Sequence, residues 1–231
     1  MKILKAFQKL LYFLYIHPDI HIKTEKCGTD YGGFNIAADY IKTSNPIVYS
    51  FGIGEDISFD RAVIEKYNAK VYGFDPTPKS IKWISALKSD KCWGGVFESF
   101  TFFPYGISDC DGKVKFYLPL NENYVSGSVI SRNELNTEPI EVEMYSLASI
   151  MKMLGHNAID ILKMDIEGLE FEVIPNILEN KIEIGQICLE VHGRFSDDGY
   201  LKTIKMIKQL KQVGYRICHI SDNKEEITFV K

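Results

Sequence analysis

The chain has 231 residues, 45% of them hydrophobic, and a net charge of −4 at neutral pH. That suits one α/β domain with small extensions and argues against nucleic-acid binding, which leaves a basic footprint. The five cysteines (Cys27, Cys92, Cys110, Cys188, Cys218) are scattered, odd in number and without a CxxC pair. They predict reduced thiols in a cytoplasmic setting, with neither a disulfide framework nor a zinc site.

The N-terminal "MKILKAFQKLLYFLYIHPDI" has an apolar stretch from Leu10 to Ile16 preceded by Lys2, Lys5 and Lys9. No A-x-A-like site follows, which argues against a signal peptide, and the run is too short to span a bilayer. An amphipathic helix with its lead-in, residues 1–24, is expected ahead of a domain at 25–231. It either covers the domain or a partner, or lies on a membrane at its inner face.

Strand-like and helical runs then alternate. "PIVYSFGIG" enters a glycine turn and "FDRAVIEKY" is helical; "KVYGFDPTP" ends in Asp75 and "KSIKWISALKS" is helical. "FTFFPYGIS" is a third strand, and "KVKFYLPL" is an extended excursion turned by "CDG". "IEVEMY" and "SLASIMKML" are a strand and a helix. "IDILKMD" and "IGQICLEVH" are buried strands flanking helical "EGLEFEVIPNIL". "YLKTIKMIKQLKQVG" is an amphipathic helix, and "YRICHIS" with "EITFVK" forms a closing hairpin. The pattern predicts a Rossmann-like, doubly wound, mostly parallel sheet.

In such sheets ligands bind beyond the carboxyl ends of the strands. Four features fall there: Gly52 with Gly54, Asp75, the segment Asp165 to Gly168, and Glu190 with His192. Glycines after a first strand admit a cofactor, or are an ordinary tight turn. The position of a third glycine holds Ile57, so the dinucleotide fingerprint fails and a nicotinamide-dependent oxidoreductase is disfavoured. Asp75 either accepts ribose hydroxyls or caps the turn beside Pro76. Jointly these features point to an adenosine-type ligand without a pyrophosphate grip. The acids after "IDILKM" are either a site or a plain strand-to-helix turn, with Asp165 or Glu167 at the helix N-terminus.

"IDILKMDIEGLEFEVI" resembles the signature of FkbM-like methyltransferases, a strand of the form D-x-L-K-[IM]-D-x-E-G followed by a helix. "YGISDCDGKVKFYLP", "VSGSVI" and "IEVEMYSLASIM" resemble the family's segments between its third strand and the signature. "DYGGFNI" with "VYSFGIGEDISFD" looks nearer to a methyltransferase-like subgroup with a "YSFGI…SFD" first motif. The likeness covers roughly residues 25 to 231. It implies a class I fold using S-adenosylmethionine, with Gly52 and Gly54 at its methionine end, Asp75 at its ribose, and Gly106 and Ile107 near its adenine. The common pattern has an aspartate two residues before the first glycine; this chain has Ser50, with Glu55 or Asp56 as substitutes.

On that reading the expected chemistry is in-line methyl transfer to a hydroxyl of a glycan, glycolipid precursor or small metabolite. Asp165 is the base or holds the acceptor. Glu190 and His192 share a strand face with this role in view, and with Asp165 are candidate ligands for magnesium or manganese. The plainer role for His192 is a hydrogen bond in the strand-end turn. Glu167 braces the turn, and Glu170 and Glu172 are solvated or core-flanking. The rival function is an S-adenosylmethionine-binding module without transferase activity. Acceptor choice is assigned to the loop "NENYVSGSVISRNE".

Overall fold

Apolar runs separated by amphipathic ones fold as a seven-stranded sheet with helices on both faces, in a computed structural model that describes residues 2–93, 95–120, 127–129 and 138–231. Helix α1 (Lys2–Tyr15) precedes a small antiparallel pair, β1 (Glu25–Cys27) and β2 (Phe34–Ile36). Then come β3 (Ile47–Phe51), α2 (Ser58–Tyr67), β4 (Lys70–Phe74), α3 (Pro78–Leu87) and β5 (Phe100–Phe103). An excursion follows: β6 (Gly106–Ile107), β7 (Gly112–Phe116) and β8 (Ile140–Tyr145). The chain returns through α4 (Leu147–Leu154), β9 (Ala158–Met164), α5 (Glu170–Glu179) and β10 (Glu183–Glu190), and closes with α6 (Gly199–Gln212), β11 (Arg216–Ile220) and β12 (Glu226–Val230).

The strand order is β11-β12-β10-β9-β3-β4-β5, and β12 alone runs antiparallel to its neighbours. The chain steps outward from β3 to β5, then returns to the other side of β3 at β9. That reversal opens a crevice at the carboxyl ends of β3 and β9, where doubly wound sheets take their ligands.

Side chains alternate along each strand, so β3 divides the core. Tyr49 and Phe51 join a layer with Ile150 of α4, Ile174 of α5 and Ile207 of α6, while Val48 joins Phe59 and Val63 of α2 and Ile84 of α3. At the carboxyl ends Phe51, Phe74 and Phe103 lie in register across β3, β4 and β5. Their rings stack at 4.4 and 5.3 Å, both at 15°. Such aromatic pairs contribute about 0.5–1.5 kcal/mol each beyond burial, and Phe51 and Phe74 of this ladder line the crevice.

One expectation changes. "FTFFPYGIS" is broken after Phe103: Pro104 offers no N–H to a ladder, and Gly106–Ile107 pair instead with β8 in a separate three-stranded sheet, order β6-β8-β7. Half of "VSGSVI" and most of "NENYVSGSVISRNE" lie outside the described residues; of the described 127–129, Ser128 bridges to Tyr117. All five cysteines are unpaired.

Candidate active site

A cavity occupies the crevice, with about 780 Å³ of empty space including its open mouth. Gly52, Gly54, Asp75, Gly106, Ile107 and Asp165 all line it. Gly52 has φ +77°, and a Cβ there would stand 1.8 Å from the Asp165 carbonyl oxygen, so only glycine fits between β3 and the end of β9. Gly54, at φ +54°, donates its N–H to Asp75 Oδ2 at 2.8 Å. Asp75 Oδ1 accepts from Thr77 N at 2.8 Å and Thr77 Oγ1 at 2.6 Å. Asp75 therefore caps the turn and also joins the two loops of the cavity. Burial raises its pKa, against the pull of the Thr77 and Gly54 hydrogen bonds. Gly106 packs beneath Met144 and Pro76, where a Cβ would lie 2.4 Å from the Met144 sulfur. Tyr31, 76% exposed, stands at the mouth.

Beneath the glycine loop lies Lys163, opposite Ser50 in the β3–β9 register and only 4% exposed. Its ammonium donates to Gly52 O at 2.7 Å and Phe51 O at 3.4 Å. The proposed substitutes for the aspartate absent at Ser50 are both engaged elsewhere, although the Lys163 charge also reaches Asp56. Glu55 pairs with Lys79 at 3.1 Å, and Asp56, though in the cavity wall, is taken by Thr29 Oγ1 and the Ser58 N–H. A third carboxyl, Asp60 of α2, is fully buried beside Ser50. Burial pushes its pKa up to about 6, and the Lys163 charge opposes that rise.

The acids that end β9 converge. Asp165, Glu190 and His192 place ligand-type atoms within 4.8 Å of one another, because β9 and β10 are adjacent and parallel. His192 Nε2 is 3.6 Å from Asp165 Oδ1, 3.5 Å from Glu190 Oε1 and 3.8 Å from Glu167 Oε2. It makes no hydrogen bond although His192 is 1% exposed. β10 stops at Glu190, so the two side chains meet through the turn after the strand and not along a regular strand face.

Glu170 corrects the sequence reading: it is neither solvated nor core-flanking but fully buried in the site. One oxygen accepts the His192 N–H at 2.7 Å and faces Nδ1 at 3.2 Å; the other accepts the Gly168 N–H at 2.9 Å. Burial alone would depress the His192 imidazole, but the Glu170 hydrogen bond and the charges of Glu170, Asp165 and Glu190 outweigh it and raise its pKa. Burial, then the Asp165 charge, raises that of Glu190. Glu172 is exposed, as a solvated helix residue should be. Glu167 adopts a left-handed φ of +55° and its carbonyl accepts from Ser128 Oγ, so it braces the turn as well as facing the imidazole. Lys163, Asp60 and Glu170 were not anticipated; a lysine inside the apolar run "IDILKM" was the visible signal.

The "Methyltransferase FkbM domain" model matches residues 47–217, most of the chain. The chain belongs to the FkbM methyltransferase family. Among curated relatives, probable methyltransferase-like protein 24 of Homo sapiens is 26% identical over 196 residues, covering 80% of this chain and 45% of that protein. The Rattus norvegicus protein of the same name is 24% identical over 192 residues, covering 79% and 45%. The chain thus spans less than half the length of these relatives. The crystal structure of an FkbM methyltransferase from Methylobacillus flagellatus KT superposes with a TM-score of 0.50 at 13% identity, over 81% of this chain and 44% of that one. The fold that the resemblance implied, a class I methyltransferase sheet, is the fold observed.

Proposed function

We propose that the chain is an S-adenosylmethionine-dependent methyltransferase that methylates a hydroxyl of a glycan, glycolipid precursor or small metabolite. One residue carries the reading. The backbone of Asp165 closes against Gly52 in the wall of the cavity, while its side chain faces the buried His192 imidazole, which lies just outside the cavity lining. A methyl donor and an acceptor hydroxyl meeting at Asp165 would satisfy both.

S-Adenosylmethionine, when bound, supplies an electrophilic sulfonium methyl. The protein's part is to align the acceptor oxygen and receive its proton, effects worth roughly 10²–10⁴-fold for the proton transfer alone. Asp165, the most exposed carboxylate around the imidazole at 35%, is the base or acceptor ligand. His192 stands behind it, with Glu170 fixing the opposite ring nitrogen. That carboxylate–histidine arrangement is the one that orients metal-ligating imidazoles, and the buried Nε2 without a hydrogen bond faces three carboxylates. The donor set fits a divalent cation held by Asp165, Glu190 and His192, which would lower the acceptor hydroxyl's pKa. An imidazole among carboxylates suits manganese better than magnesium, which prefers an all-oxygen shell. The five unpaired cysteines support a reducing, cytoplasmic setting.

Isothermal calorimetry with S-adenosylmethionine, S-adenosylhomocysteine and NAD tests the cofactor half; binding of NAD in place of the other two would overturn it. Transfer of labelled methyl from S-adenosylmethionine to a panel of sugars and sugar phosphates tests the rest. Wild type should transfer label and Asp165→Asn should lose most of it while binding cofactor normally. Cofactor binding with no transfer to any acceptor would favour the binding-module reading.

A further inference from the structure

Helix α1 keeps one side for the domain and leaves the other uncovered. Gln8 and Tyr12 are buried, as is Ile16 just beyond the helix. The Tyr12 ring packs 5.6 Å from Tyr200 of α6, and its hydroxyl donates to the Lys224 carbonyl. The Lys224 ammonium in turn donates to the Phe13 and Ile16 carbonyls, at 2.9 and 3.4 Å, capping the helix where its dipole is negative. Lys5 Nζ ties the amino-terminal half to the Arg194 carbonyl at 2.9 Å. The helix is held at both ends, so the face it turns outward is fixed.

That face is apolar. Leu4, Phe7, Leu11 and Leu14 recur at steps of three and four, one stripe of a helix, with Leu10 beside them. Their exposures run from 38% at Leu11 to 71% at Leu14. A patch of large apolar side chains collected on one element marks a docking surface.

Charge selects the occupant. "KILKAFQKLLYFLY" carries three lysines and no acid, and "GYLKTIKMIKQLKQ" of the neighbouring α6 carries four and no acid. This concentration stands out in a chain of net charge −4. Asp19 pairs with Lys211 at 2.7 Å and Asp198 with Lys202 at 3.0 Å. Lys5, Lys9 and Lys208 have no carboxylate partner among the described residues. A second copy would set two lysine-bearing, acid-free faces against each other. A sheet of anionic lipid headgroups over acyl chains accommodates both the stripe and its cationic flanks. No helix among the described residues is long and apolar enough to cross a membrane, and fourteen residues of helix reach only about 21 Å.

We propose that the exposed stripe of α1 seats the protein on an anionic membrane surface, with α1 lying in the interface and Lys9 of α1 and Lys208 of α6 meeting the headgroups. Flotation of the full chain with phosphatidylcholine vesicles, with and without phosphatidylglycerol, tests this. Wild type should float with the phosphatidylglycerol vesicles and far less with phosphatidylcholine alone. The triple variant Phe7→Glu/Leu11→Glu/Leu14→Glu changes exposed side chains only; it should keep the wild-type melting temperature and lose at least tenfold in vesicle-bound fraction. Lys9→Glu/Lys208→Glu should lose the preference for anionic lipid. Wild type remaining in the dense fraction, or the triple variant floating like wild type, overturns the proposal. So does a wild-type dimer in light scattering that the triple variant dissolves, which would assign the stripe to a second copy.

Discussion

Asp75 offers a sharp test of the cofactor half, because the structure limits what it has left to give. An ionised carboxylate has about four acceptor positions. The Gly54 N–H, the Thr77 N–H and the Thr77 hydroxyl occupy three, so one remains for a ribose hydroxyl, not two. A hydrogen bond to a charged acceptor is worth about 1.5–3 kcal/mol, which predicts a loss of about 10- to 150-fold in affinity when it is removed. Asp75→Asn is the cleaner perturbation. Its oxygen can keep the two Thr77 donors, its amide group faces the Gly54 N–H, and the cost to stability is that of one orphaned donor, about 1–3 kcal/mol. Asp75→Ala orphans all three donors and should cost about three times as much. Calorimetry with S-adenosylhomocysteine, alongside thermal denaturation, separates the two contributions. A folded Asp75→Asn protein with wild-type affinity would reduce Asp75 to a turn cap and refute the assignment.

Other substitutions probe the rest of the site. Gly52→Ala should abolish cofactor binding and destabilise the fold, since its Cβ meets the Asp165 carbonyl at 1.8 Å; a near-wild-type melting temperature would contradict this. Asp60 has a folded pKa of about 6 against an ordinary 3.8, so the folded state binds the extra proton and stability falls as pH rises between those values, then stays level. Asp60→Asn should therefore show a flatter stability profile between pH 4 and 6, read by urea denaturation. Glu170→Gln should weaken manganese binding by about 10- to 100-fold in calorimetry, the usual effect of losing a carboxylate behind a ligating imidazole. If neither wild type nor variant binds manganese, the cluster is a proton-sharing network without a cation.

Period-two and helical patterns were legible because burial imposes them. The carboxyl-end rule then located Gly52, Asp75, Asp165 and Glu190 at one edge without knowledge of strand order. Strand order itself was not legible, since nothing local in "IDILKMD" says that it pairs with "IVYSF". Without that pairing Ser50 and Lys163 could not be seen as opposite residues. Glu170 was missed for a similar reason. In sequence it is one of several helix acids, and only the approach of the turn after β10 surrounds it with the His192 and Gly168 N–H groups. Pro104 was the legible warning that the third strand stops early.

Lys163 ties the glycine loop to the strand that ends at the acids. A buried ammonium needs acceptors and opposite charge. It obtains the first from the Phe51 and Gly52 carbonyls and the second from the fields of Asp60, Asp56 and Asp75. The family pattern with an aspartate at the place of Ser50 would set the carboxylate directly opposite the lysine on the next strand. Here the carboxylates whose charge acts on Lys163 are Asp60 of α2, Asp56 and Asp75. Two residues further on, the same strand ends in Asp165, whose N–H donates to the Phe51 carbonyl and whose own carbonyl fits against Gly52. The acidic end of a hydrophobic strand is thus fixed from below by the glycine loop against which it packs. Any displacement of that loop should move the Asp165 carboxylate as well, which under the proposed function would couple cofactor binding to the geometry at the acceptor.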